Sequence, residues 1–218
     1  MKILNLYAGI GGNRKLWGDE HEITAVEINP NIAAIYQDFF PNDKVIIGDA
    51  HQYLLEHYKE FDFIWASPPC PTHSRLVTLL KNKETYNIKY PDMKLYQEIL
   101  LLQHFAPPNQ KWIIENVISY YEPLIRPQKD GRHYYWANFI ISNKTKDEIV
   151  RNNKGFAKLD NKMKNRDIIV KDFHNYNGDK RQLLNNCVAP KAGLHIFECA
   201  FRIKQHTLIH NDKKEIHK

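Results

Sequence analysis

Short apolar runs alternate with amphipathic stretches through the first half of the chain. Residues 2–6 (KILNL) and 22–27 (EITAVE) have the aliphatic content of buried strands, as do 44–47, 61–66 and 111–117. Between them, apolar positions recur at helical spacing over 30–40, around 51–58 and over 94–105, and Pro30 suits the first turn of a helix. Strands alternating with helices predict parallel βαβ units and an α/β fold: a doubly wound, Rossmann-like, mostly parallel sheet. Ligands of such sheets bind beyond the carboxyl ends of the strands. After residue 141 the pattern gives way to Asn- and Lys-rich sequence until Arg181, and helical periodicity returns over 189–203. Four segments follow: a core over 1–140, a small basic region over 141–180, a segment over 181–204 returning to the core, and a polar tail over 205–218.

Composition narrows this picture in two ways. Three cysteines, with no CxxC, argue against a disulfide framework and against a structural zinc, and no metal is expected. The net charge of +6 is concentrated: positions 141–181 hold eleven Lys/Arg against six Asp/Glu, a surplus of five that leaves about +1 elsewhere. A nucleic-acid-facing appendage has that distribution, and so does a solvated basic loop. No apolar run approaches the length that spans a bilayer. The opening MKILNLYAGIGG passes into a strand without a signal-peptide apolar region, so a cytoplasmic address and no membrane association are expected.

The first strand runs into Ala8-Gly9-Ile10-Gly11-Gly12, a turn through which a ligand approaches backbone closely. Glu27 ends the second strand, where a carboxylate accepts hydrogen bonds from ribose hydroxyls, and Asp49 follows the third, placed to meet an adenine edge. A dinucleotide fingerprint would need glycine where Arg14 stands, so a nucleoside without phosphates fits better, S-adenosyl-L-methionine being the common one. The plainer alternative makes Glu27 and Asp49 helix-capping acids.

The fourth strand empties into Ser67-Pro68-Pro69-Cys70-Pro71-Thr72-His73-Ser74, where prolines hold a thiol in place outside any apolar core. The next strand delivers Glu115-Asn116-Val117, a carboxyl group at the neighbouring sheet position. A thiolate beside a carboxylic acid suits methylation at carbon 5 of cytosine, which is a poor nucleophile until something adds to carbon 6. Cys70 would make that addition, and Glu115 would hold or protonate ring N3.

Leu6-Tyr7-Ala8-Gly9-Ile10-Gly11-Gly12, Pro68-Pro69-Cys70-Pro71-Thr72-His73-Ser74 and Glu115-Asn116-Val117 resemble, in order and spacing, the cofactor, nucleophile and acid motifs of the DNA (cytosine-5)-methyltransferase family. The resemblance covers about residues 1–140 and resumes over 181–201. It implies a class I methyltransferase fold with a reduced target-recognition region, and S-adenosylmethionine contacts at Tyr7, Ala8, Gly9, Gly11, Glu27, Asn29, Asp49 and Pro69. It makes Cys70 the nucleophile and Glu115 the group at N3. Residues 181–188, RQLLNNCV, are similar to a stretch that usually reads Arg-Gln-x-x-Gly-Asn-x-Val, which would bring Asn186 and Val188 over the methionine end of the cofactor. Cys187 and Cys199 match no catalytic position.

Three departures stand out. Asn185 replaces a glycine, a change tolerable because Asn also adopts positive φ. Where the family carries two arginines with one residue between them, Gly131-Arg132-His133-Tyr134-Tyr135-Trp136 offers only Arg132, here assigned to the base carbonyl. The third departure is the recognition region, about forty residues where relatives carry far more. Few base contacts fit in it, which predicts a recognition sequence of about two to four base pairs. DNA contacts are expected from Ser74, from Arg75, Lys81 and Lys83 in a loop over 75–92 that would close on a flipped-out base, and from Lys158, Lys162, Lys164 and Arg181. The implied partners are double-stranded DNA, bound by a monomer, and a restriction endonuclease if the enzyme serves a restriction–modification system. Two alternatives stay open: a tRNA cytosine-5 methyltransferase, and a non-catalytic nucleic-acid-binding subunit of the same fold.

Overall fold

A computed structural model describes residues 1–75, 90–142, 159–165 and 167–201. Its strands and helices, in chain order, are β1 (Lys2–Leu6), β2 (Glu22–Glu27), α1 (Pro30–Phe39), β3 (Lys44–Ile47), α2 (Ala50–His57), β4 (Phe63–Ala66), α3 (Lys94–Phe105), β5 (Lys111–Val117), β6 (Gln128–Asp130), β7 (His133–Ala137), α4 (Leu159–Asn165), α5 (Lys180–Asn186) and α6 (Pro190–Phe201). The strands form one seven-stranded sheet in the order β3-β2-β1-β4-β5-β7-β6. Pairing is parallel from β3 through β5, and β7 runs antiparallel to both β5 and β6. This is the Rossmann-like, mostly parallel sheet expected from the alternation of elements. The strand order reverses between β1 and β4, which opens a crevice at their carboxyl ends.

The central strands are buried on both faces, which is why they read as nearly continuous apolar runs. On one face Leu4, Leu6, Ile64, Ile114 and Trp136 pack against Leu54 of α2 and Leu95, Ile99 and Leu102 of α3. On the other, Ile3, Phe63, Trp65, Ile113 and Tyr135 pack against Trp17 and against Ile196, Phe197 and Ala200 of α6. Trp17 stacks on Phe197 with centroids 5.3 Å apart and donates its indole N–H to the Gly193 carbonyl at 3.2 Å. Gly193 lies so close to the Asn13 backbone that a β-carbon there would collide with it.

Strand β4 begins at Phe63, two residues later than the apolar run suggests, because the chain turns through a 3-10 segment at Tyr58–Glu60 first. Within the basic region, Ile168 and Val170 are buried against Ile10, Ile35, Leu183 and Leu184, so its later part packs on α1 and α5. No helix among the described residues is long and apolar enough to cross a membrane.

Candidate active site

The crevice at the carboxyl ends of β1, β2, β4 and β5 is a cleft of about 610 Å³. The glycine turn lines it on one side and the proline-rich loop on the other, with residues of α5 closing a third side.

At the glycine turn the backbone folds over tightly. Gly9 has φ +54° and open space where a side chain would project, while its N–H donates to Glu27 Oε2 at 3.0 Å. The other Glu27 oxygen accepts the Asn29 N–H at 3.0 Å, so this carboxylate organises the turn and is not a helix cap. Asp49 does cap α2, accepting from His51 N at 2.8 Å and Gln52 N at 3.2 Å, and it faces Lys94 Nζ at 3.5 Å. The backbone N–H groups are the main cause holding its carboxyl below the usual range, with Lys94 adding to them. Asp49 also lines the cleft, as do Tyr7, Ala8, Gly9, Glu27, Pro69, Asn186 and Val188.

Two of the expected cofactor contacts lie elsewhere. Gly11 is packed against the Tyr36 and Phe40 rings with φ +75° and does not line the cleft; its glycine serves that close approach. Asn29 caps α1, its side chain accepting from Asn31 N and Ile32 N, and is not part of the lining. Arg14, where a dinucleotide turn would need glycine, is buried and paired with buried Asp43 through two bonds of 3.0 and 3.2 Å. Asp43 also accepts the Tyr36 hydroxyl at 2.8 Å.

At the opposite end, the loop after β4 is pinned on every side. The Asn116 side-chain amide donates to the Pro68 carbonyl at 3.0 Å, and the Cys70 carbonyl accepts from His73 N and Ser74 N, both at 3.0 Å. The buried His73 ring meets the Tyr121 hydroxyl at 2.6 Å. Cys70 and the buried Glu115 both line the cleft. Burial pushes the Cys70 thiol up, and the negative charge of Glu115 pushes it further. Burial likewise raises the Glu115 carboxyl, against the opposing pull of His133 and a hydrogen bond from Ser67. A thiol and a carboxyl that both resist ionising are held beside one ligand space, an arrangement typical of reactive sites.

Arg132 lies apart from these groups. It sits in the exposed two-residue turn between β6 and β7 and does not line the cleft; its neighbour His133 does. Side chains alternate along a strand, and the register Glu115↔Tyr135 and Val117↔His133 puts positions 133 and 135, not 132, on the Glu115 face. His133 Nε2 lies 3.5 Å from Glu115 Oε1. Parity along the aromatic strand was the signal that would have selected it.

The expected nucleic-acid contacts are scattered. Ser74 pairs with Ser119 in an isolated bridge, and exposed Arg75 donates to the Ser119 carbonyl at 3.5 Å. Arg181 is exposed on α5 and Lys164 on α4, neither lining the cleft. Lys81, Lys83 and Lys158 lie outside the described residues, as does the side chain of Lys162.

Residues 1–117 match the family model of C-5 cytosine-specific DNA methylases. No curated protein sequence matches the chain. Solved structures that resemble it include the putative methyltransferase yhhF from Escherichia coli, 14% identical over 62% of this chain and 73% of that one, with a TM-score of 0.41. A triple mutant of DNMT2 from Spodoptera frugiperda is 28% identical over 53% of this chain and 35% of that one, TM-score 0.36. TrmN from Thermus thermophilus is 14% identical over 53% of this chain and 33% of that one, TM-score 0.37.

Proposed function

The chain belongs to the C-5 cytosine-specific DNA methylase family, and on that premise we propose that it methylates carbon 5 of cytosine in DNA through a covalent bond to Cys70. Membership makes it a methyltransferase with S-adenosylmethionine as methyl donor. The cleft suits that donor: Gly9 leaves open space beside the turn. Each Glu27 oxygen has accepted one backbone N–H and keeps a lone pair for a ribose hydroxyl. Tyr7, Ala8, Gly9, Glu27, Asp49, Pro69, Asn186 and Val188 would hold it. When bound, it supplies a methyl group made electrophilic by its sulfonium sulfur.

The observation that carries the proposal is the coupling of Cys70 to Glu115 in one cleft. While Glu115 is ionised, its charge keeps the thiol protonated. Once Glu115 is neutral, that repulsion disappears and Cys70 can present a thiolate. Sγ then bonds to carbon 6 of the base as Glu115 transfers its proton to N3, so no charge accumulates in the ring. Once carbon 5 carries the methyl group, N3 returns its proton to Glu115, a solvent base takes the C5 proton, the C5–C6 double bond re-forms and the C6–S bond breaks, returning the thiolate. His133 orients the Glu115 oxygen that it faces. A base stacked in a duplex cannot reach Cys70, so the target nucleotide must be extruded into the cleft.

Duplex DNA and tRNA offered together with labelled S-adenosylmethionine test this reading. Label at carbon 5 of cytosine in DNA is expected, with a denaturation-resistant adduct on DNA containing 5-fluorocytosine, where fluorine blocks the final elimination. Label confined to tRNA would overturn the substrate, and absence of the adduct would overturn the covalent step.

A further inference from the structure

Glu98 has no part in the chemistry above, yet its side chain is completely buried beside the cofactor end of the cleft. It lies on the core-facing stripe of α3, among Leu95, Ile99 and Leu102. Its Oε1 accepts the Tyr7 hydroxyl at 2.5 Å and faces His51 Nδ1 at 2.9 Å, while its Oε2 is buried without a hydrogen-bond partner among the described residues.

Tyr7 belongs to the glycine turn that lines the cleft, and His51 to the first turn of α2, directly after Asp49 and Ala50, which line it. Tyr7 has φ +54°, a left-handed conformation that costs a bulky residue about 1–3 kcal/mol unless its surroundings hold it there. The next residues carry the amides that shape the turn: Ala8 N donates to the Val26 carbonyl at 3.0 Å and Gly9 N to Glu27. His51 stands two residues after Asp49 and donates its own N–H to that carboxylate. Lys94, one turn before Glu98 on α3, faces Asp49 as well.

We propose that Glu98 is a positioning residue for cofactor binding, a latch that ties the Tyr7 turn and the Asp49 loop to α3 and so fixes the two acids, Glu27 and Asp49, that would hold the nucleoside. The latch works as a neutral acid. Burial raises the Glu98 carboxyl and Asp92 pushes the same way, outweighing Tyr7, whose hydroxyl donates to it, and His51. Burial raises the Tyr7 hydroxyl in turn, so it stays a donor. With its proton on Oε1, Glu98 accepts from Tyr7 and donates to His51 Nδ1, and the orphaned Oε2 is a carbonyl oxygen. That is far cheaper to bury than half of a carboxylate. Because the folded state favours the protonated carboxyl, the latch is closed at low pH and opens as pH rises through the raised Glu98 value. Tyr7, His51, Asp49, Asp92 and Lys94 are the titratable and charged groups that face it.

Calorimetry with S-adenosylhomocysteine, the demethylated cofactor, needs no nucleic acid, so this test stands apart from the covalent reading. The wild type should bind more weakly as pH rises through the raised Glu98 titration, whereas Glu98→Gln, neutral at every pH, should bind well and lose that dependence. Tyr7→Phe and Glu98→Leu should weaken binding about tenfold, the worth of a hydrogen bond to a buried polar group, and Glu98→Leu should raise KM for the cofactor while kcat holds. Hydrogen exchange at residues 7–12 of the cofactor-free protein should quicken in both. Unchanged affinity in Tyr7→Phe, or the same pH dependence in Glu98→Gln as in the wild type, would overturn the latch. A wild type that fails to bind the ligand would overturn both the latch and the cofactor assignment.

Discussion

The two ends of the cleft are built on opposite electrostatic terms. At the cofactor end the acids are satisfied before any ligand arrives: Glu27 accepts two backbone amides, and Asp49 accepts two more and faces Lys94. At the base end Cys70 is half-buried beside the buried Glu115, whose charge raises the thiol. One end is organised to bind and the other is poised to react. Substitutions at the first should therefore change affinity, and substitutions at the second should change rate.

The largest effect tests the reactive end. Cys70→Ser should abolish turnover and adduct formation, because serine is a far weaker nucleophile at neutral pH, while calorimetry shows cofactor affinity nearly intact. A comparable loss of affinity would erase the distinction between the two ends.

Glu115→Gln should lower the chemical step by about 10²–10⁴ in single-turnover assays, the usual worth of general acid assistance. It should also make Cys70 more reactive. The Glu115 charge raises the thiol, so removing it lowers the pH at which the thiolate forms, and alkylation of Cys70 by iodoacetamide at neutral pH should accelerate. Catalysis falling while nucleophile reactivity rises is a pair of outcomes that simple unfolding would not produce.

Glu27→Gln probes the binding end. Hydrogen bonds to a charged acceptor contribute about 1.5–3 kcal/mol, so cofactor affinity should fall roughly tenfold to a hundredfold while kcat at saturation changes little. A collapse of kcat at saturating cofactor would contradict the division of labour between the two ends.

The smallest effect concerns the basic region. Neutralising Lys158, Lys162 and Lys164 together should flatten the salt dependence of DNA binding, by roughly 0.9 in the log–log slope for each phosphate that these lysines no longer neutralise. Filter binding across a salt series reads the slope, and an unchanged slope would turn this region away from the nucleic acid.

Elements buried on both faces announced themselves in the sequence, because a strand such as FIWA has no polar position to blur it. Strand β6 did not: its residues, Gln128–Asp130, are polar and partly exposed, and only pairing with β7 makes them a strand. Helix α5 was recognisable as a motif and not as a helix, since Leu183 and Leu184 are its only buried residues. In the site, residues at strand ends were legible because strand ends face the crevice. Arg132 drew attention as the only arginine of the 131–136 stretch, whereas strand parity selects His133. Glu98 was visible in principle as an acid on the apolar stripe of a helix, but its partner Tyr7 lies ninety-one residues away, and no local pattern joins them.

Gly12 lies so close to Cys187 and Val188 that a β-carbon there would clash with both, and Trp17 reaches Gly193 across 176 residues. A ribosome makes the glycine turn early and the strip that seals it late. The parallel strands can pair in the nascent chain while one wall of the cleft is still unsynthesised. Closing so long a loop costs little more in stability than closing a shorter one, since the entropic cost grows only logarithmically with length. Its expense is time, because contacts distant in sequence form slowly. The Cys187–Val188 wall is thus the last part of the cleft to be synthesised, after the strands that support it.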